Sequence, residues 1–129
     1  MTKVYILEDD QSRINMFDSY LTAYMHTDTV SQDSLELFLS YDPDIVFLDH
    51  DLGGRTMVDS AEENTGAGFV RLLVKNDPKI KERTFYVHSF NPNGSMEMVR
   101  TLLEVYATVY REPFGSYGFR AALADIMEY

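Results

Sequence analysis

The sequence predicts an α/β domain built on a doubly wound, five-stranded parallel sheet. Short runs rich in β-branched and aromatic residues alternate five times with segments whose apolar residues recur at helical spacing. Three of these runs, at residues 3–7, 45–48 and 84–87, end directly at acidic or polar residues. Because alternating strands and helices need right-handed crossovers, we expect parallel strands in the order 2-1-3-4-5.

Each element of the first half has a local signal. After strand 1, apolar residues at helical spacing predict a helix over residues 12–25, and a weak second strand follows at residues 27–30. Asp33 or Ser34 is expected to cap the second helix, which leads into strand 3. Strand 3 is the clearest strand of the chain.

The second half begins with a long polar segment, residues 49–65, before the third helix. It is too long for an ordinary strand-to-helix turn, so we expect a functional loop that acts as a lid. After strand 4, a fourth helix is predicted by apolar spacing at Met96, Val99, Leu103 and Tyr106. A fifth strand at residues 107–110 and a closing helix complete the pattern.

Length and composition indicate one compact domain over residues 1–129. The chain has no leader pattern and no apolar run long enough to span a bilayer, so we expect a cytoplasmic protein without membrane contact. A formal net charge of -10 argues against extended nucleic-acid binding, which needs a basic face. The lack of cysteine excludes disulfides and thiolate sites.

Polar side chains gather where the strands of the predicted sheet end. In such sheets, ligands bind outside the carboxyl ends of the strands, near the point where the winding direction reverses. The residues at those ends are Glu8 and Asp9 after strand 1, Asp49, His50 and Asp51 after strand 3, and His88 and Ser89 after strand 4. We therefore expect an acidic pocket at this edge.

This arrangement resembles the flavodoxin-like receiver domain of response regulators. The resemblance implies that Glu8 and Asp9 hold magnesium, that Asp49 accepts a phosphoryl group and that Ser89 lies near the phosphate. Receivers carry a lysine before the proline that follows strand 5, whereas this chain has Glu112 before Pro113. The substitution disfavours ordinary phosphoacceptor signalling.

Three blocks resemble a divergent branch, the cyclic-phosphate processing receiver-like domains. They are Leu7-Glu8-Asp9-Asp10 with Arg13, Leu48 through Gly54, and Val87 through Gly94. The resemblance implies activity on a cyclic phosphate, with His50 and His88 in the pocket. Opening a cyclic phosphodiester needs a base and an acid, and two imidazoles can fill these roles near neutral pH.

We therefore predict three sets of site residues. The catalytic set is His50, His88 and Asp49. The metal set, for Mg²⁺ or Mn²⁺, is Glu8, Asp9, Asp49 and Asp51, because these ions prefer oxygen ligands. The phosphate-binding set is Ser89, Asn93, Gly94, Gly53, Gly54 and Arg111, which offer donors, a backbone cradle or positive charge.

Two functions remain open on the sequence alone. The first is a phosphoesterase that acts on a 2',3'-cyclic RNA end or a cyclic nucleotide, with metal assistance as an option. The second is a degenerate receiver that binds a ligand, a metal or a partner without turnover. Partners on the first interpretation are a small cyclic-phosphate ligand or an RNA end. Receivers often dimerise through the face formed by their last helices, so the resemblance also allows a homodimer.

Overall fold

The computed structural model describes residues 2–127, which alternate between strands and helices. The strands are β1 (Val4–Leu7), β2 (Met25–Thr27), β3 (Ile45–Leu48), β4 (Thr84–Val87) and β5 (Thr108–Arg111). The helices are α1 (Gln11–Tyr20), α2 (Gln32–Tyr41), α3 (Gly66–Asn76), α4 (Pro92–Glu104) and α5 (Tyr117–Met127). A short 3-10 turn, Ile80–Glu82, precedes β4.

The five strands form one parallel sheet in the order β2-β1-β3-β4-β5, which confirms the predicted topology. Register pairs Leu7 with Leu48, Leu48 with Val87, and Val87 with Arg111. The last residues of four strands therefore lie level with one another. The polar residues that follow them start at the same edge of the sheet.

Apolar side chains fill both faces of the sheet because strand side chains alternate in direction. One core contains Leu48 and Val87 and packs under α2, α3 and α4. The other contains Phe47 and packs under α1 and α5 through Phe17 and Phe119. The alternation continues past the strand ends. The first residue after a strand therefore points to the face opposite that of the last strand residue, and the second residue points to the same face.

The boundaries of the first elements differ from the expectation. Helix α1 ends at Tyr20, five residues earlier than predicted, because Leu21 adopts an extended conformation and its N–H closes the last turn on the carbonyl of Phe17. The chain then turns early enough for Met25 to pair with Tyr5, so β2 begins two residues before the predicted strand and ends at Thr27. Ser31, and not the predicted Asp33 or Ser34, caps α2, because its side chain accepts from the N–H of Ser34 and the helix begins at Gln32.

Helix α4 is present where predicted, but of the four apolar residues that predicted it only Val99 packs against the core, and Tyr106 lies beyond the last helical residue, Glu104. Met96 and Leu103 are 64% and 56% exposed, whereas Met98 and Leu102 are fully buried. Apolar residues on two sides of a helix share the same spacing, so periodicity indicates the helix without indicating which side packs. None of the helices within residues 2–127 is long and apolar enough to cross a bilayer.

Candidate functional site

Two carboxyl groups lie side by side at the carboxyl end of the sheet. Glu8 follows β1 and Asp49 follows β3, and the N–H of Asp49 donates to the carbonyl of Leu7 at 3.0 Å. The two residues are only 0% and 4% exposed. Strand pairing therefore brings two acids into one poorly hydrated place.

Three nitrogen atoms hold the Glu8 carboxyl group. The backbone N–H groups of Asp9 and Asp10 donate to Oε2 at 3.1 and 3.2 Å, and Nε2 of His88 lies 2.8 Å from Oε1. Burial raises the pKa of Glu8 in spite of these contacts and of the nearby Arg13 guanidinium. The group therefore binds a proton more readily than an exposed glutamate does.

Asp49 is perturbed in the same direction. Burial raises the pKa of Asp49 to about 7, and the adjacent Glu8 carboxyl adds to the effect. Arg13 opposes it, with Nη1 at 3.6 Å from Oδ1 of Asp49. Two buried acids beside one cation form a site whose charge is incompletely balanced.

His88 lies beneath this pair in an aromatic cluster. It is fully buried, and its ring centroid lies 5.7 to 5.9 Å from those of Phe17, Phe114 and Phe119. Burial lowers the pKa of His88 to about 4, so the ring is neutral at pH 7. Its Nδ1 has no hydrogen-bond partner within residues 2–127.

His50 lies on the opposite face of the sheet from His88. Its buried ring packs against Gly94 at the start of α4, where a Cβ would lie 2.3 Å from the imidazole. Nδ1 of His50 lies 2.9 Å from Oδ1 of Asp51. Since His88 belongs to the face covered by α1 and α5, the two imidazoles do not converge on one point.

Asp51 and Asp9 hold the long loop that follows β3. The N–H groups of Met57 and Val58 donate to Asp51 at 2.7 and 3.1 Å, and the N–H of Gly54 donates to Oδ2 of Asp9 at 2.6 Å. Burial alone would raise the pKa of Asp51, but hydrogen bonds, the largest from Asn91, lower it. Asp51 is thus an ionised anchor for the loop.

A cavity of about 270 Å³ lies between the acid pair and this loop. Its lining residues are Glu8, Asp9, Asp10, Arg13, Asp49, Asp51, Gly54, Arg55, Thr56, Met57, Ser89, Phe90 and Asn91. Neither His50 nor His88 belongs to the lining. The cavity therefore presents carboxylates and a guanidinium to a ligand, while both imidazoles lie behind its walls.

The residues at the back of the cavity fit a divalent cation. Donor atoms of Glu8, Asp49 and His88 all lie within 4.8 Å of one another. A cation would favour the ionised carboxylates that burial disfavours. The two carboxylates suit Mg²⁺ or Mn²⁺, and the imidazole favours Mn²⁺ over Mg²⁺, which prefers oxygen ligands. Asp9 and Asp51, the other two predicted ligands, contact loop amides in this structure.

Residues 4–104 match the family described as the cyclic-phosphate processing receiver domain. The chain belongs to this family. The match includes β1, β3, β4 and the residues that follow them, which are the parts that build the cavity. The resemblance inferred from the sequence blocks is thereby confirmed.

Solved structures similar to this receiver domain are response-regulator receivers. A signal receiver domain from Vibrio parahaemolyticus is 15% identical, with a TM-score of 0.62 and coverage of 98% of this chain and 90% of that one. The N-terminal domain of the nisin resistance regulator NsrR is 20% identical, with a TM-score of 0.60 and coverage of 98% of both chains. A response regulator receiver domain from Rhodospirillum rubrum is 14% identical, with a TM-score of 0.59 and coverage of 98% and 91%. At identities of 14% to 20%, these structural similarities show the fold alone. No curated protein matched the sequence.

Four of the six predicted phosphate-binding residues divide between two places in this receiver domain, and the other two lie in neither. Ser89 and Gly54 line the cavity. Asn93 and Arg111 line a separate groove along α4, because Arg111 faces the α4 side of β5. Gly94 lies under the His50 ring, and Gly53 is not part of the cavity lining.

The position that carries lysine in ordinary receivers holds no cation here. The N–H of Glu112 donates to the carbonyl of Val87 at 2.9 Å, which places Glu112 one residue beyond β5. Its carboxyl group lies against Gly118, where an added Cβ would be 2.0 Å from Oε2. Positive charge at the acid pair comes instead from α1.

Two site residues had no role in the sequence prediction. Arg13, in the first turn of α1, points back to the acid pair, and Asn91 caps α4 while donating to Asp51 at 2.9 Å and to the carbonyl of Val58 at 3.1 Å. Arg13 belongs to the first of the three sequence blocks that resemble the family. Because α1 starts where β1 ends, a residue in its first turn can point into the pocket. Asn91 lies in the third block, where the sequence indicated only a turn.

Proposed function

We propose that this receiver domain is a phosphoesterase that hydrolyses a cyclic phosphate in the cavity beside Asp49. The observation that carries the proposal is a buried pair of carboxyl groups that lines a cavity of about 270 Å³ together with a guanidinium. The family's association with cyclic-phosphate processing supports the substrate class. A cavity of this volume suits a mononucleotide or an RNA end better than a long strand.

Asp49 is the group that we propose to move the proton. Water attacks phosphorus and gives a proton to the Asp49 carboxylate, one ring P–O bond breaks, and Asp49 returns this proton to the departing oxygen, which yields a phosphate monoester with a free hydroxyl. A divalent cation held by Glu8, Asp49 and His88 would polarise the phosphoryl group and activate water. Arg13 lies close enough to the same place to offset charge on phosphate oxygens.

Neither histidine is the acid or the base in this proposal: His50 acts through the carboxyl group of Asp51, and His88 acts through Glu8 and as a ligand of the cation. Direct acid and base roles for His50 and His88, as the sequence predicted, require both rings to reach one phosphate. The contacts support positioning roles instead, because His88 bonds Glu8 and His50 bonds the loop anchor Asp51. Both rings are fully buried.

The test is hydrolysis of a panel of cyclic phosphates. Purified protein is assayed against 2',3'-cyclic mononucleotides, 3',5'-cyclic nucleotides and RNA with a 2',3'-cyclic end, in EDTA, Mg²⁺ and Mn²⁺. We expect turnover of at least one substrate, and a loss of about 100-fold or more in Asp49→Asn. The matched control, Asp125→Asn, removes an exposed carboxylate from α5 and should retain activity. Absence of turnover across the panel would contradict the proposal.

A pair of His88 variants separates the two possible roles of this residue. His88→Gln keeps a nitrogen donor that can reach Glu8, whereas His88→Ala does not. If His88 positions Glu8, His88→Gln should recover part of the activity that His88→Ala loses. Equal losses in both variants would favour the imidazole as a direct acid or base.

A second candidate function is a binding module that retains its ligand without turnover. The observation that favours it is that both imidazoles are sealed from the cavity. Calorimetric binding of a cyclic nucleotide, together with no product after prolonged incubation with either metal, would establish this function instead of hydrolysis.

A further inference from the structure

Arg13 occupies an unusual position for a cation in an acidic protein. Its Nη1 lies 3.5 Å from Oε1 of Glu8 and 3.6 Å from Oδ1 of Asp49, and only 20% of its side chain is exposed. The guanidinium carbon lies 5.0 and 5.1 Å from the ring centroids of Phe90 and Phe114. Two aromatic rings and two acids thus hold the guanidinium at the cavity wall.

Among the described residues, this guanidinium forms two long ion pairs, and its N–H groups donate no hydrogen bond. Within residues 2–127, the side chain of Arg13 makes no hydrogen bond, and its distances to the two carboxyl groups exceed the roughly 2.7–2.9 Å of a charge-assisted bond. By contrast, Arg71 donates to loop carbonyls, and Arg83 donates to Asp77 and Asp42. Five donors on a largely buried cation call for an acceptor group that offers paired oxygens.

The charges of the residues that line the cavity also indicate that Arg13 is available to an anionic ligand. Five carboxyl groups line it, and the other lining cation, Arg55, is half exposed and bonded to Glu62 at 3.0 Å. An anionic ligand entering this cavity needs a cation at its inner end. Glu112 stands where receivers have lysine, and Arg111 lies in the groove along α4. Arg13 is the cation at the inner end of the described cavity.

We propose that Arg13 binds the phosphate group of the ligand through paired N–H donors and is the anion-recognising residue of this pocket. The inference rests on the proposed function only in taking a phosphate ester as the ligand, and it holds whether or not the ester is hydrolysed. Flanking by Phe90 and Phe114 orients the guanidinium plane before the ligand arrives. Lysine would keep the charge but lose the paired donors.

The experiment measures equilibrium binding instead of turnover. Inorganic phosphate and 2',3'-cyclic AMP are titrated by calorimetry into wild type, Arg13→Lys and Arg13→Gln, in EDTA and then in Mg²⁺. We expect Arg13→Gln to weaken binding of both probes about 10- to 100-fold and Arg13→Lys to lie between it and wild type. Arg120→Gln removes the same charge from an exposed site on α5 and should bind like wild type.

Each outcome bears on the inference separately from the proposed function. Wild-type affinity in folded Arg13→Gln would overturn the role of Arg13 and leave the phosphoesterase proposal standing. Binding that depends on Arg13 without any turnover would support the inference and overturn the phosphoesterase. If wild type binds neither probe under either condition, the inference is wrong. Circular dichroism checks folding, and Arg13→Lys serves as the test if Arg13→Gln does not fold.

Discussion

Asp49 and His88 are buried neighbours whose pKa values move in opposite directions for the same physical reason. Burial penalises the charged form of each group, so the pKa of Asp49 rises to about 7 and that of His88 falls to about 4. Both groups are therefore neutral over the range between these values. A ligand or cation that binds beside these two groups therefore determines whether each of them becomes charged.

Asp49→Asn should change how stability depends on pH. The folded-state pKa of about 7 exceeds the ordinary value of 3.8, so the folded wild type binds an extra proton between these pH values. Its free energy of unfolding contains a contribution that is fully present below pH 3.8 and is lost as the pH rises to about 7. The variant lacks this contribution.

Relative to Asp49→Asn, wild type should therefore lose up to about 4 kcal/mol of stability across that window. Urea unfolding of both proteins in EDTA, at several pH values from 4 to 8, measures the difference. His88 contributes a slope of opposite sign between its lowered pKa of about 4 and its ordinary value of 6.5, and loss of the Asp49 charge, which raises the His88 pKa, enlarges this slope in the variant. Parallel curves for the two proteins would show that Asp49 titrates normally.

The loop after β3 closes the cavity. It is held by residues at its start and by a residue at the start of α4. Asp51 accepts from the amides of Met57 and Val58, and Asn91 at the start of α4 donates to Asp51 and to the carbonyl of Val58. His50 contacts the same aspartate. The loop, β3 and the first turn of α4 therefore share one polar network.

Asp51→Ala should loosen this loop while leaving the sheet intact. Loss of the acceptor frees the amides of Met57 and Val58, so we expect their hydrogen exchange to accelerate about 10-fold or more. Asp59→Ala removes a carboxylate that accepts only a local amide, from Ala61 at 2.8 Å, and is the matched control. Unchanged exchange at Met57 and Val58 in Asp51→Ala would mean that the anchor is elsewhere.

In the whole molecule, the cavity lies at the carboxyl ends of the strands and a structural ion cluster lies at their amino ends. Arg83, immediately before β4, is 4% exposed and donates to Asp77 at 2.8 and 2.9 Å and to Asp42 at 2.8 Å. Asp42 and Asp77 end α2 and α3. This cluster joins two helices to the sheet without contacting the cavity.

Arg83→Ala should therefore lower stability and spare the ligand site. It leaves the buried Asp77 carboxylate unpaired, which costs about 3–5 kcal/mol. Lys79→Ala removes an exposed partner of the same Asp42, at 3.0 Å, and should cost about 1 kcal/mol or less. Urea unfolding at pH 7 measures both. Similar losses in the two variants would contradict the distinction between the buried and the exposed partner.

Local patterns determined the elements, their order and the edge at which the polar residues meet. Alternating strand and helix signals predicted the strand order, and the ends of β1, β3 and β4 located Glu8, Asp49 and His88 at one edge. These inferences need only residues that are close in the chain, together with the handedness of crossovers.

Only the tertiary structure decided which of those polar groups meet. The rotation of α1 brings Arg13 to Glu8 and Asp49, and the parity of the strand ends sends His50 and His88 to opposite faces. Helix rotation and loop path are set by packing between segments far apart in sequence, which periodicity does not encode. For the same reason, the sequence did not predict which side of α4 is buried or which residues anchor the loop.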